Sequence, residues 1–172
     1  MDPVAVAVQG FITVAAVAVG AFGTYLATKG VERSRWEREQ STRWHDQRIV
    51  AYTEYSASVK KVITRSRSIL GELGLNPTLV RLTRATGIPL LELDEIDRTQ
   101  KFESVMLLGG PEVIAAARAW HGISWQYYHW AVGNAPATEQ EIEREYVAAE
   151  EARNKFYEAA RRELGLPLHL AE

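Results

Sequence analysis

The densest run of reactive side chains is Trp120-His121-Gly122-Ile123-Ser124-Trp125-Gln126-Tyr127-Tyr128-His129-Trp130, where five of eleven residues are Trp or Tyr. Its two histidines raise metal chemistry first. A zinc site needs three or four ligands, commonly with an i, i+4 pair on a helix. His121 and His129 are eight apart, with no Cys, Asp or Glu between them. The Glu-x-x-His motif of di-metal bundles is also missing from the chain. The residues therefore imply no metal and no cofactor, and the isolated His45 and His169 are expected in solvent. Acid–base chemistry could use Glu92, Asp94, Glu95 and Asp97, but acids crowded at an expected helix start already suit the macrodipole. There is no cysteine, no Gly-x-Ser-x-Gly elbow and no glycine-rich phosphate loop. Thr64-Arg65-Ser66-Arg67-Ser68 is basic and rich in hydroxyls, as a phosphorylation site would be. Ser66 falls on an apolar seam, so the stretch is expected to be a helix face. Nothing amounts to a catalytic signature, and the expectation is a chain that is not an enzyme.

The aromatic run has a second use. A helix cannot aim all of it into one core. Trp120 and Tyr127 share a seam, and Trp125, Tyr128, His129 and Trp130 lie off it. Some of these can be core aromatics with polar tips at the margin. Others can be exposed contact anchors, because Trp and Tyr dominate interface hot spots. Trp125, Tyr128, His129 and Trp130, with Leu79 and Leu82 beside them, are the candidate partner surface. A rival use is a small-ligand or enzyme pocket lined by Trp120, His121 and Tyr127.

The elements that place these residues begin with an uncharged apolar run, Val4 to Thr28. As a helix its roughly 25 residues reach about 37 Å, enough for a hydrocarbon core of about 30 Å. A lone strand would leave its backbone unpaired in lipid, so a helical transmembrane span over 4–28 is expected. A cleaved signal peptide fits less well. The leader Met1-Asp2-Pro3 has an acid and no base, and no small-residue cleavage site stands out. Lys29, Arg33, Arg35 and Arg38 follow the run, and no base precedes it. Basic flanks stay cytoplasmic, so the expected topology is a single pass of the plasma membrane. Residues 1–3 then lie outside and the C-terminal domain inside. The four bases are candidate headgroup contacts. Gln9, Thr13, Ala16, Gly20 and Thr24 recur every three or four residues, a stripe suited to helix association and a homo-oligomer.

The formal net charge of −2 argues against a nucleic-acid partner. Charge is uneven, however. Residues 29–67 carry ten Lys/Arg against five Asp/Glu, whereas 92–103 and 139–163 are each net −3. Basic and acidic helices facing one another in a bundle would account for this.

Residues 29–46 are almost wholly polar and form the expected helical stalk, followed by a bundle over 47–165 and a tail over 166–172. Ile49, Tyr52, Ser56, Val59, Ile63, Ser66, Leu70 and Leu73 alternate by three and four, the seam of a bundle helix. Asn76-Pro77 and Gly87-Ile88-Pro89 predict a short helix over 77–86. The next helix, about 90–108, would point Leu93, Ile96, Phe102, Val105 and Met106 inward. Pro111 starts another, with Val113, Ala117, Trp120, Ser124, Tyr127 and Ala131 on its seam. Thr138 and Glu141 form a capping box for the last, which ends at Gly165. The fold class is all-α: a transmembrane helix, a stalk and an antiparallel up-down four-helix bundle.

Trp44-x-x-x-Arg48-x-x-x-Tyr52, Leu107-Leu108-Gly109-Gly110-Pro111-Glu112-Val113 and Phe156-x-x-Ala159-Ala160-Arg161-x-Glu163-Leu164-Gly165 follow the apolar run and polar stalk, an order of parts that resembles small single-span proteins of actinobacteria and their phages. The resemblance implies a layout and a plasma-membrane setting, with no site residues. Two functions follow as expectations. The first is a membrane-tethered, non-enzymatic module that binds another protein. The second is a phage-type membrane effector, concerned with superinfection exclusion or lysis and acting through its span.

Overall fold

The computed structural model describes residues 43–75 and 80–167. Among them are four α-helices and no strand. We number these α1 (residues 43–72), α2 (Arg84–Leu108), α3 (Pro111–Val132) and α4 (Glu139–Glu163). No described helix is long and apolar enough to cross a membrane. The expected span over 4–28 lies outside the described residues, as does most of the stalk.

Side-chain contacts set the topology of the bundle. Arg48 at the start of α1 donates to the carbonyl of Leu108 at the end of α2, and further along Lys61 pairs with Asp94. Arg98 and Phe102 of α2 meet His121 of α3, and Tyr127 of α3 bonds Ile142 early in α4. Each helix thus runs antiparallel to the one before it, and α4 returns antiparallel to α1 through Tyr52 and Glu163. The basic first helix does face acidic partners on α2 and α4.

One ring from each helix meets at the centre. Tyr55 lies 5.6 Å from Phe102, 6.3 Å from Trp120 and 5.4 Å from Phe156 between ring centroids. Such pairs add about 0.5–1.5 kcal/mol each beyond burial. The polar tips are satisfied internally: Tyr55 Oη donates to the Ala117 carbonyl at 2.8 Å, and Tyr127 Oη to that of Ile142 at 2.9 Å. The α3 seam is buried throughout, as its spacing predicts. On α1 the seam from Tyr52 to Leu70 is buried, while its outermost members Ile49 and Leu73 are exposed.

Helix ends follow local chemistry. Pro111 opens α3 after Gly110, and Thr138 and Glu141 close the capping box of α4. Gly133 ends α3 with φ +84°, a left-handed conformation that strains any residue with a Cβ.

Two expectations fail on α2. Residues 80–83 are not helical, so a helix over 77–86 does not form, and Gly87-Pro89 stops nothing. Thr83 caps the helix through the Thr86 amide, the Glu72 carboxylate accepts from the Arg84 amide, and α2 runs on through Pro89. The proline removes one bond near a terminus held by these contacts. Leu93 and Ile96, expected inward, are exposed. Val105 is buried as expected, and the rest of the buried face carries Leu91, Asp94, Glu95 and Arg98.

Candidate functional site

The outer face of α3 presents a continuous stack of rings. His121, Trp125 and Tyr128 stand at i, i+4 and i+7, neighbours on one helical face. The His121–Trp125 centroids are 6.1 Å apart at 12°, and Trp125–Tyr128 are 5.2 Å apart at 8°. Phe102 of α2 extends the stack, 5.5 Å from His121 at 24°. His129 closes edge-on against Trp125 at 4.9 Å. Trp125 is held on both faces and still leaves 41% of its surface in solvent. That combination is unusual, because an indole so exposed normally has rotamer freedom to lose on binding.

Beneath the stack lies a buried ion pair. Arg98 is 1% exposed, and its Nε and Nη2 engage both oxygens of Glu95 one turn earlier, with Nε to Oε2 at 2.9 Å. The same Nη2 reaches Thr99 Oγ1 at 3.2 Å, and Nη1 donates to His121 Nδ1. An arginine only donates, so Nδ1 must accept, and the neutral ring carries its proton on Nε2. Burial, then the adjacent Arg98 charge, holds His121 below its ordinary pKa of 6.5. In this tautomer Nε2 carries the N–H and the ring has no lone pair left free, which suits hydrogen-bond donation rather than proton abstraction.

These groups floor a shallow hollow of about 400 Å³ lined by Glu95, Ile96, Arg98, Thr99, Gln100, His121 and Trp125. Ile96 is exposed at its edge, and Leu93, one turn earlier on α2, is a second exposed apolar side chain. On the α1 side, Asp94 is buried and bound by Lys61 at 2.7 Å and by Arg65. Asp94 and Glu95 therefore answer exposed Lys61, half-buried Arg65 and buried Arg98 from the third turn of the helix. They are not at its N-terminus, where the macrodipole would have explained them, since the first turn has no acid.

The candidate partner residues separate. Trp125 is exposed, and Tyr128 and His129 are half-buried beside it. Leu82 is half-buried against a small cluster of Val62, Ile69, Leu91 and Ala131. Trp130 is withdrawn as an exposed anchor: it is 7% exposed and packs edge-on against Tyr127 at 5.5 Å. Leu79 lies outside the described residues. So do Gln9, Thr13, Ala16, Gly20 and Thr24 of the span, and Lys29, Arg33, Arg35 and Arg38 of the stalk. The residues of the expected pocket, Trp120, His121 and Tyr127, are divided between the core and the hollow beside α2. Trp120 and Tyr127 fill the core, and His121 faces α2.

Leu93, Ile96 and Arg98 were missed as site residues. Glu95-x-x-Arg98 was the available signal, an i, i+3 pair able to neutralise itself inside a bundle. No group of three or more His, Cys, Asp or Glu among the described residues is placed to hold a metal ion. No family model, no curated protein and no solved structure matches the chain.

Proposed function

We propose that this chain is a membrane-anchored, non-enzymatic interaction module that recruits a protein partner through the α2–α3 face. One observation carries the reading. Trp125, pre-stacked between His121 and Tyr128, shares a hollow with exposed Ile96, and Leu93 stands one turn away. An aromatic anchor ringed by aliphatic contacts is the usual make-up of an interface hot spot, and its rigidity lowers the ordering cost of binding. In this proposal residues 4–28 cross the plasma membrane once, with the bundle in the cytoplasm. Lys29, Arg33, Arg35 and Arg38 lie at the headgroups, and the stripe from Gln9 to Thr24 pairs two copies. Tethering raises the local concentration of the bundle, so modest intrinsic affinity suffices.

A photo-crosslinking amino acid at position 125, compared with one at exposed Lys155 on α4, tests the surface in intact host membranes. A discrete adduct is expected at 125, absent at 155 and lost when Ile96→Asp is added. Identical adduct patterns at both positions would remove the α2–α3 face as the partner surface.

A further inference from the structure

A second hollow, of about 290 Å³, lies on a different side of the bundle. Its walls are Lys60, Ile63, Thr64 and Arg67 of α1 and Tyr146, Ala149, Glu150 and Arg153 of α4, with Trp120 of α3 between them. Each helix contributes residues at i, i+3, i+4 and i+7, so one full face of α1 opposes one full face of α4. Three lining residues are cationic and one is anionic. Arg153 and Glu150 are 3.9 Å apart, at the outer limit of an ion pair, and Arg67 lies 4.0 Å above the Tyr146 ring.

Trp120 makes this more than a basic surface. Its side chain is 1% exposed, and Nε1 has no acceptor among the described residues. A buried indole N–H normally finds a partner, and leaving one unpaired costs about 1–3 kcal/mol. Tyr55 and Tyr127, which share this core, each have a carbonyl to donate to. The orphaned donor of Trp120 belongs to the ring that lines the cationic hollow.

We infer that the α1–α4 hollow is a binding site for a small organic oxyanion, a carboxylate or phosphate borne on a flat apolar body. Trp120 Nε1 and Thr64 Oγ1 donate to it, Lys60, Arg67 and Arg153 neutralise it, and Ile63, Ala149 and the Tyr146 ring contact its body. The volume corresponds to about ten waters, room for a single-ring ligand. Guanidinium groups match carboxylate and phosphate equally, so the anionic group could come from a free metabolite or a lipid headgroup.

The test uses the full chain in a neutral detergent, labelled with ¹⁵N at its tryptophan indoles. The Trp120 Nε1–H signal is the one missing in Trp120→Phe. Benzoate and phenyl phosphate are titrated as soluble probes, inorganic phosphate as the bare anion, and phosphatidylglycerol in mixed micelles as the lipid source. The expected result is a saturable downfield shift of the Trp120 signal by at least one probe with an apolar body. Affinity should fall about tenfold in Arg153→Gln, the scale of one lost charge-assisted bond. A shift with phosphatidylglycerol alone identifies a headgroup source, and one with benzoate or phenyl phosphate a free ligand. Inorganic phosphate as effective as phenyl phosphate overturns the apolar subsite. No shift with any probe up to about 10 mM, or one unchanged in Arg153→Gln, overturns the site.

Discussion

Tyr52 donates its phenolic hydrogen to Glu163 Oε2 at 2.9 Å, joining the start of α1 to the end of α4 across 111 residues of sequence. The same carboxylate accepts the Gly110 amide at 3.1 Å and lies 3.4 Å from Arg48 Nη1. Arg48 in turn donates its Nε to the Leu108 carbonyl at 2.7 Å. One side chain thus ties α1, α4 and the α2–α3 turn together, and its charge sits at the positive end of α3. Hydrogen bonds to a charged group contribute about 1.5–3 kcal/mol, so Glu163→Ala should lose about 2–3 kcal/mol in urea denaturation. Glu163→Gln should lose less, because one amide oxygen can still accept from both Tyr52 and Gly110. Burial, then the bond to and the charge of Glu163, holds the Tyr52 hydroxyl above its ordinary pKa of 10.0. The stability this lends is complete below pH 10.0 and lost as pH rises beyond it toward the folded-state value. Equal losses in the Ala and Gln variants would refute the clasp.

The Arg98–Glu95 pair should be costly to break and cheap to replace. Removing one member of a buried pair strands the other charge, typically at about 3–5 kcal/mol. Arg98→Met alone should therefore destabilise on that scale. Adding Glu95→Gln, which neutralises the stranded partner, should restore a large part of the loss. A double variant no more stable than Arg98→Met would show that the pair is not an energetic unit. Arg98→Met also removes a charge that disfavours protonation of His121, so the imidazole pKa read by NMR should rise.

His121 supplies a pH dependence of definite sign. Its folded-state pKa is depressed, by burial first and by Arg98 second. The neutral ring therefore contributes stability that is present above the unfolded value of 6.5 and is lost as pH falls through the folded value. Protonation at Nδ1 would also set one N–H against another, ending the bond from Arg98. His121→Asn keeps an acceptor near Nδ1 but does not titrate. Urea midpoints measured downward from neutral pH should fall more steeply for the native chain than for His121→Asn. Parallel profiles would dissociate His121 from the effect.

The sequence was most legible where apolar spacing and burial agree, and least where they diverge. On α3 the seam Val113, Ala117, Trp120, Ser124, Tyr127, Ala131 is apolar or small, and each member is buried. Caps were equally readable, since Thr138 with Glu141 and Pro111 after Gly110 act through local bonds. On α2 polarity misleads. Leu93 and Ile96 satisfy an apolar template as well as Leu91 and Val105 do. Only the partners waiting on other helices, Lys61, Arg65 and His121, make Asp94, Glu95 and Arg98 the inner face. Those partners are 23 to 33 residues away in sequence (Asp94 to Lys61 the longest), beyond the reach of a periodicity argument. The site inherited the same difficulty: Trp125 could be named in advance, but the hollow beside it depends on α2 being turned outward.

Gly87 shows the same tertiary control over a local signal, and it can be tested directly. A glycine two residues before a proline suggests a helix stop, yet Gly87 sits in the first turn of α2, buried against α1. A Cβ there would lie 2.5 Å from Ile69 Cγ1 and 2.9 Å from Cδ1, and Ile69 is fully buried. Alanine would gain about 1 kcal/mol of helix propensity. The overlap would cost about 1–3 kcal/mol, because a β-branched side chain cannot move Cγ1 without leaving its χ1 well. Gly87→Ala should therefore leave the protein less stable, against its propensity. Ile69→Ala alone should cost about 2–5 kcal/mol through the cavity it opens, and that cavity is the space the new methyl needs. The double variant should be more stable than the sum of the singles by at least about 1 kcal/mol. Strict additivity in a double-mutant cycle would mean that Gly87 is not where α2 seats against α1.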